Sequence, residues 1–598
     1  MLLQPIDWFS VIAFFVISLA VGVAVTRRAG SSSAEFFAAG RSMPWWLLGV
    51  SMVATTFSTD TPNVVTSFVR QNGIAGNWLW WPFLVTGMMT VFIYAQLWRR
   101  SGVLTDLEFY ELRYSGKPAA FLRGFRALYL GIIYNILVMA SVVLAGIKIG
   151  SVLLGLTPVG TVLLACTVTV IYSSLGGLRG VLITDFIQFI VAMIGSIGAA
   201  YIALQHPDVG GLTNLLSNEA IQGKLSILPD FSNMNTLMAI FVVPIAVQWW
   251  AAWYPGAEPG GGGYIAQRML SAKDEHHSIG AVFFFNAAHY ALRPWPWFIV
   301  ALCSLIVYPN VEALKEAFPN AANVAGDDMG YPAMLSFLPA GLLGLVIASL
   351  IAAFMSTIST HLNWGSSYIV HDFYKRFMRP ESGEKELVFV GRVTTVLLMV
   401  LTGLVALVME EASKNFNIIL QVGAGTGLLF ILRWFWWRIN AIAEVVAMTV
   451  SFLVALSLFV GERAGWIAPQ EWVKFLIVVG VTTPSWIVAM YLARPTRLTT
   501  LVQFCRLVKP GGPGWRYVLE HAEEPHGTVE QSDLAWQVPQ GIVCTVLGCV
   551  AVYSALFATG NWLYMNYTLA TGLTLLALVS TVILIGQWRR LIEEPVKE

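Results

Sequence analysis

The chain has 598 residues, 57% of them apolar and only 12% charged, with a mean hydropathy of +0.69; this excludes a water-soluble enzyme and describes a polytopic chain dissolved mostly in lipid. Its 35 Lys and Arg against 34 Asp and Glu leave a net charge of +1, which gives no basic footprint for nucleic acid. A spanning helix needs about 20 largely apolar residues, and fifteen such segments are expected, beginning near residues 6, 44, 76, 123, 156, 181, 235, 279, 337, 387, 415, 440, 474, 539 and 563.

The first segment, Trp8 to Val25, carries its basic pair, Arg27 and Arg28, after the apolar run, the reverse of a signal peptide, and reads as a retained helix. The second, Trp45 to Val69, collapses halfway into Ala54-Thr55-Thr56-Phe57-Ser58-Thr59-Asp60-Thr61-Pro62. Pro62 lacks an amide proton and pushes Thr61 off helical angles, so the helix is expected to break there. Carbonyls freed in hydrocarbon need partners: a dehydrated cation is one reading, a kink satisfied by neighbouring hydroxyls the other. Further on, Tyr172 to Gln188 joins two apolar segments through an expected turn at Gly176-Gly177 and plants Asp185 inside the second. A carboxylate at membrane depth marks either an ion pathway or an ion pair, for which Arg179 is the near candidate.

Pro244 interrupts the seventh segment, which runs through Trp249-Trp250-Ala251-Ala252-Trp253-Tyr254-Pro255-Gly256 to Gly260–Gly263. Two interrupted helices favour a transporter over a receptor bundle, and the aromatic cluster either lines a substrate cavity or forms an interfacial belt. The eighth segment brings His289, Tyr290 and Arg293 ahead of Pro294. His289 and Arg293 share a face, and Arg293 either clamps a substrate carboxylate or pairs with Asp60. The ninth holds Ala353-Phe354-Met355-Ser356-Thr357-Ile358-Ser359-Thr360. At about 3.6 residues per turn Ser356, Ser359 and Thr360 share one face, while Thr357 lies beside the Ala353 carbonyl. Neutral hydroxyls and carbonyls suit a monovalent cation that must also leave; helix hydroxyls otherwise back-bond to the preceding turn or hold helices together.

Residues 495–537 read as a polar cytoplasmic insert too short for an enzyme domain, followed by two further spans. The five cysteines, Cys166, Cys303, Cys505, Cys544 and Cys549, have no metal-type spacing. No nucleotide-binding glycine loop supports ATP-driven transport, and no enzymatic activity is expected. Basic residues concentrate after odd-numbered segments and after the last, including Arg99, Arg100, Lys375, Arg376, Arg589 and Arg590, which puts the N-terminus outside and the C-terminus in the cytoplasm.

From about residue 36 to 450 the chain resembles the sodium:solute symporter family, and is similar to its bacterial sodium/galactose-transporting branch. The resemblance rests on Gly40-Arg41-Ser42-Met43-Pro44-Trp45, the Gly-Gly-Leu junction leading to Thr184-Asp185, Gln267-Arg268-Met269-Leu270-Ser271-Ala272-Lys273 and the Ser356-Thr357 pair. It implies an all-α, LeuT-like core of two inverted repeats of 5+5 helices with flanking spans. The divisions expected are a leading helix at 1–35, repeats at 36–234 and 235–438, added helices at 439–494, the insert at 495–537 and terminal spans at 538–598.

Carried over residue by residue, the resemblance implies a principal sodium ion on the carbonyls of Ala54, Phe57 and Ala353 and the hydroxyls of Ser356 and Thr357. A second sodium, bound in some members, would use Asp185, Ser356, Ser359 and Thr360. The substrate position would fall to Asp60, Thr61, Trp80, Trp253, Tyr254, His289 and Arg293. The chain departs from the sugar-transporting members at Thr61, Trp80 and Trp253, which stand where those members carry polar sugar ligands. The function implied is sodium-coupled import of a small polar organic solute, a sugar or related compound, across a bacterial inner membrane, with sodium, solute and lipid as its partners and no obligate protein partner. A proton-coupled carrier and a transporter-like sensor acting through a separate partner remain the alternatives.

Overall fold

The computed structural model describes residues 3–29, 39–103, 105–251, 258–409, 412–522 and 536–593, and omits the side chains of 171–181 among others. Regular structure among the described residues is helical, apart from an isolated bridge between Met43 and Ala272. The helices that position the site are α1 (Pro5–Ala29), α2 (Trp45–Thr56), α3 (Asp60–Asn72), α4 (Asn135–Leu154), α5 (Pro158–Leu204), α6 (Gly263–Ser271), α7 (Glu275–Ala287), α8 (Pro294–Val307) and α9 (Leu342–Ser367), with α10 (Ala441–Arg463), α11 (Val538–Leu563) and α12 (Tyr567–Glu593) outside them.

Nine helices among the described residues are long and apolar enough to cross a bilayer, against the fifteen segments expected. Part of the difference is the broken helices. The segment from residue 44 is split into α2 and α3, and the one from 235 forms a helix only over Met234–Ala246, each too short alone. The first break also lies earlier than expected. α2 ends at Thr56, and Phe57, at φ −82° and ψ 69°, turns its carbonyl off the helix axis. Thr61 and Pro62 are helical, in the first turn of α3, where a missing amide proton leaves no helical hydrogen bond unmade. In the second broken segment the helix ends at Ala246, two residues beyond Pro244.

No turn interrupts α5: its 47 residues run through Gly176 and Gly177 as one helix, about 70 Å long at 1.5 Å per residue. Glycine lowers helix propensity by about 1 kcal/mol without forbidding the conformation. α5 packs on α1, α2, α4, α8 and α9 and is the hub of the bundle. The carboxylate of Asp7 on α1 accepts the backbone N–H groups of Gly341 and Gly344, each at 2.7 Å, and so caps α9 from a neighbouring helix.

The 267–273 motif is helical, as part of α6, through Ser271. Beyond the core, α11 and α12 form a hairpin seated on it: Tyr553 donates to the Trp81 carbonyl and Trp295 to that of Leu556. Within the insert, Leu498–Val508 and the turn at Pro513–Trp515 fold back, and the buried Trp515 indole donates to the Trp434 carbonyl. Nearby, Arg126 and Arg433 share Glu258 and Glu444 in a buried cluster of four charges, with the Glu258 contacts at 2.9 and 3.3 Å.

Candidate functional site

At mid-bundle, α2, α5, α6 and α9 bring together a set of polar side chains from which water is excluded. Asp185 on α5 is fully buried, and each of its oxygens accepts one hydroxyl: Ser51 of α2 at 2.5 Å and Ser356 of α9 at 2.5 Å. Arg268 of α6, also fully buried, faces this carboxylate electrostatically. Its guanidinium reaches Ser51 Oγ at 3.3 Å, Thr360 Oγ1 at 3.4 Å and Thr55 Oγ1 at 3.5 Å. A buried charge is tolerable only when paired and hydrogen-bonded, and here the two charges share a hydroxyl.

The broken helix meets α9 beside this cluster. Thr357 donates to the Thr55 carbonyl at 2.9 Å, and Thr59, in the break, donates to the Leu350 carbonyl at 3.2 Å. Ala54, Phe57 and Ala353 are buried around the contact, with the Ala54 carbonyl accepting the Phe57 N–H at 3.1 Å. Ser359 back-bonds to the Ser356 carbonyl at 3.1 Å, as helix hydroxyls commonly do. Ser356, expected at both ion positions, holds Asp185 one residue away from the Thr357 contact with the broken helix. Arg179 lies outside the described side chains; Arg268 is the cation near Asp185.

Arg293 stands at the C-terminal end of α2. It is fully buried, and donates to the Val53 carbonyl at 3.0 Å, the Thr56 carbonyl at 3.0 Å and Thr56 Oγ1 at 3.3 Å. Those are last-turn carbonyls of α2, whose helix ladder stops at the break, and a cation there complements the negative helix end. Its charge is felt by Asp60. His289, 2.5 Å from Arg293 through Nδ1, accepts there because a guanidinium can only donate.

Behind Arg293 opens a cleft lined by Thr56, Ser58, Asp60, Thr61, Trp80, Ser141 and His289 on its polar and aromatic side and by Val64, Val65, Phe68, Val138, Phe416 and Ile419 elsewhere. Of the residues expected to hold substrate, Asp60, Thr61, Trp80 and His289 therefore gather at one cavity. Trp253 and Tyr254 lie outside the described residues. Sequence reasoning missed Ser51, Thr55 and Arg268 as parts of the polar cluster. Arg268 stood inside a motif already singled out, and a guanidinium in a largely apolar stretch was the available signal.

The sodium:solute symporter family model matches residues 36–450. The sodium/glucose cotransporter of Vibrio parahaemolyticus is 26% identical over 474 residues, covering 76% of this chain and 85% of that protein. Sodium/glucose cotransporter 4 of Danio rerio is 26% identical over 491 residues, covering 76% and 71%. Among solved structures, a Na+-coupled sialic acid symporter in a substrate-bound, outward-open state aligns at a TM-score of 0.62 with 18% identity, over 83% of this chain and 99% of that one. That last likeness is one of fold.

Proposed function

The chain belongs to the sodium:solute symporter family, and from that premise we propose that it couples inward sodium movement to uptake of a small organic solute by alternating access. Residues 36–234 and 235–438 are then two inverted five-helix repeats that rock around the polar cluster, in a bacterial inner membrane with the N-terminus outside. The observation that carries the reading is the meeting of the broken helix with α9: the Thr357 hydroxyl against the Thr55 carbonyl, beside Asp185 held by Ser51 and Ser356.

One sodium ion is held by the carbonyls of Ala54, Phe57 and Ala353 with the hydroxyls of Ser356 and Thr357. A second uses Asp185, Ser356, Ser359 and Thr360. To serve as ligands, the hydroxyls turn their protons away and present lone pairs to the ion, which only small rotations require. The driving force suffices. A charge moving through about 100 mV releases roughly 2.3 kcal/mol, and a tenfold sodium gradient adds about 1.4. One ion thus sustains accumulation on the order of 500-fold.

The test is thermal unfolding of the purified full-length protein titrated with sodium chloride against potassium chloride at constant ionic strength. Sodium is expected to raise Tm progressively with the logarithm of its concentration where potassium does not, since a ligand at about ten times its Kd stabilises the folded state by roughly 1.4 kcal/mol. A protein indifferent to sodium, but whose Tm and solute uptake track pH, would instead be the proton-coupled carrier.

A further inference from the structure

The identity of the solute is written in what the cleft walls have left to offer. Among the described lining residues Asp60 is the one formal charge, half-buried at the first turn of α3. No Lys or Arg is among the described lining residues; Arg293 stands behind them, engaged by the carbonyls of Val53 and Thr56. His289, accepting through Nδ1, is a neutral ring and adds no charge.

The wall's polar hydrogens are directed mostly into the protein. Thr56 donates to the Met52 and Val53 carbonyls at 3.0 and 2.9 Å, and Thr61 to the Thr56 carbonyl at 3.1 Å. The Trp80 indole N–H goes to Asn77 Oδ1 at 2.8 Å. What these groups show the cavity is oxygen lone pairs and aromatic carbon, to which Phe68 and Phe416 add more.

A sugar is a poor match for such a wall. Each of its hydroxyls brings lone pairs as well as a hydrogen, and the hydrogens of Thr56, Thr61 and Trp80 that could answer those lone pairs are already given to the protein. An alkylammonium ion is the complementary shape of charge: it brings donors or none, no acceptor, and an apolar body that aromatic faces attract.

Resting on the symporter reading above, we propose that the solute carried in this cleft is a compact organic cation, its positively charged nitrogen held by Asp60 and its apolar part against Trp80, Phe68 and Phe416.

The experiment is thermal unfolding of the purified full-length protein in saturating sodium chloride. The additions, at matched concentration, are the methylammonium to tetramethylammonium series, choline, neohexyl alcohol as the uncharged carbon isostere of choline, and galactose. At least one ammonium ion is expected to raise Tm, with neohexyl alcohol and galactose inert. Asp60→Asn is expected to weaken that ammonium response by about tenfold or more, while sodium alone still stabilises the variant, which also shows that it is folded. The proposal is overturned if galactose raises Tm where no ammonium ion does, if neohexyl alcohol matches choline, if a protein that responds to sodium responds to no cation of the series, or if Asp60→Asn abolishes the response to sodium alone. Loss of the sodium response in the unmodified protein instead overturns the symporter reading itself.

Discussion

Asp185 accepts two hydroxyls from two different helices and shares one of them with Arg268. Asp185→Asn strands the Arg268 guanidinium in a dry interior, for which about 3–5 kcal/mol of lost stability is expected. Pairing it with Arg268→Gln removes the stranded charge, so the double variant is expected to regain most of that stability while its sodium response stays weak. Thermal unfolding with and without sodium separates the two effects as a double-mutant cycle; a double variant that binds sodium like the parent removes Asp185 from the ion's path. Asp185 was legible in the sequence because a carboxylate in an apolar run has to be explained by something. Its partner was not. Arg268 is far from Asp185 along the chain, and only folding brings that cation within reach.

At the scale of elements, the interrupted helix is what the cluster and the cleft have in common. α2 delivers its last carbonyls to Arg293 on one side and to Thr357 on the other. Hydrogen bonds to a charged partner contribute about 1.5–3 kcal/mol each, so Arg293→Met is expected to lower Tm clearly and to weaken sodium affinity by loosening the end of α2. Arg293→Lys, which keeps the charge but not the fork, is expected to recover part of both. Unchanged unfolding of Arg293→Met would mean the carbonyls find other partners. Proline announced that a break exists but misplaced it, because the ring is tolerated in a helix's first turn and the chain opened at Phe57, just ahead of it. Gly176-Gly177 misled in the opposite sense: a local propensity of about 1 kcal/mol per residue does not stop a helix whose two halves pack along α9, α1 and α2.

In the whole molecule, the hairpin of α11 and α12 fits the core by close approach. A Cβ on Gly560 would run into the Trp295 ring, whereas Gly572 on α12 has nothing within 4 Å. Gly560→Val is therefore expected to cost about 1–3 kcal/mol by overpacking, with Gly572→Val near neutral; equal Tm values in the two variants would show that the hairpin does not bear on the core. The bundle's helical class and most of its long spans were readable from apolar runs. The insert's docking through Trp515 was not, since nothing in a polar stretch shows which surface will receive one indole. A symporter also makes a return stroke with nothing aboard. Both Asp185 oxygens hold hydroxyls, and Arg268 stands beside them as the counter-charge. The two formal charges cancel, so a stroke made without sodium carries none of the protein's own net charge from this pair across the membrane field.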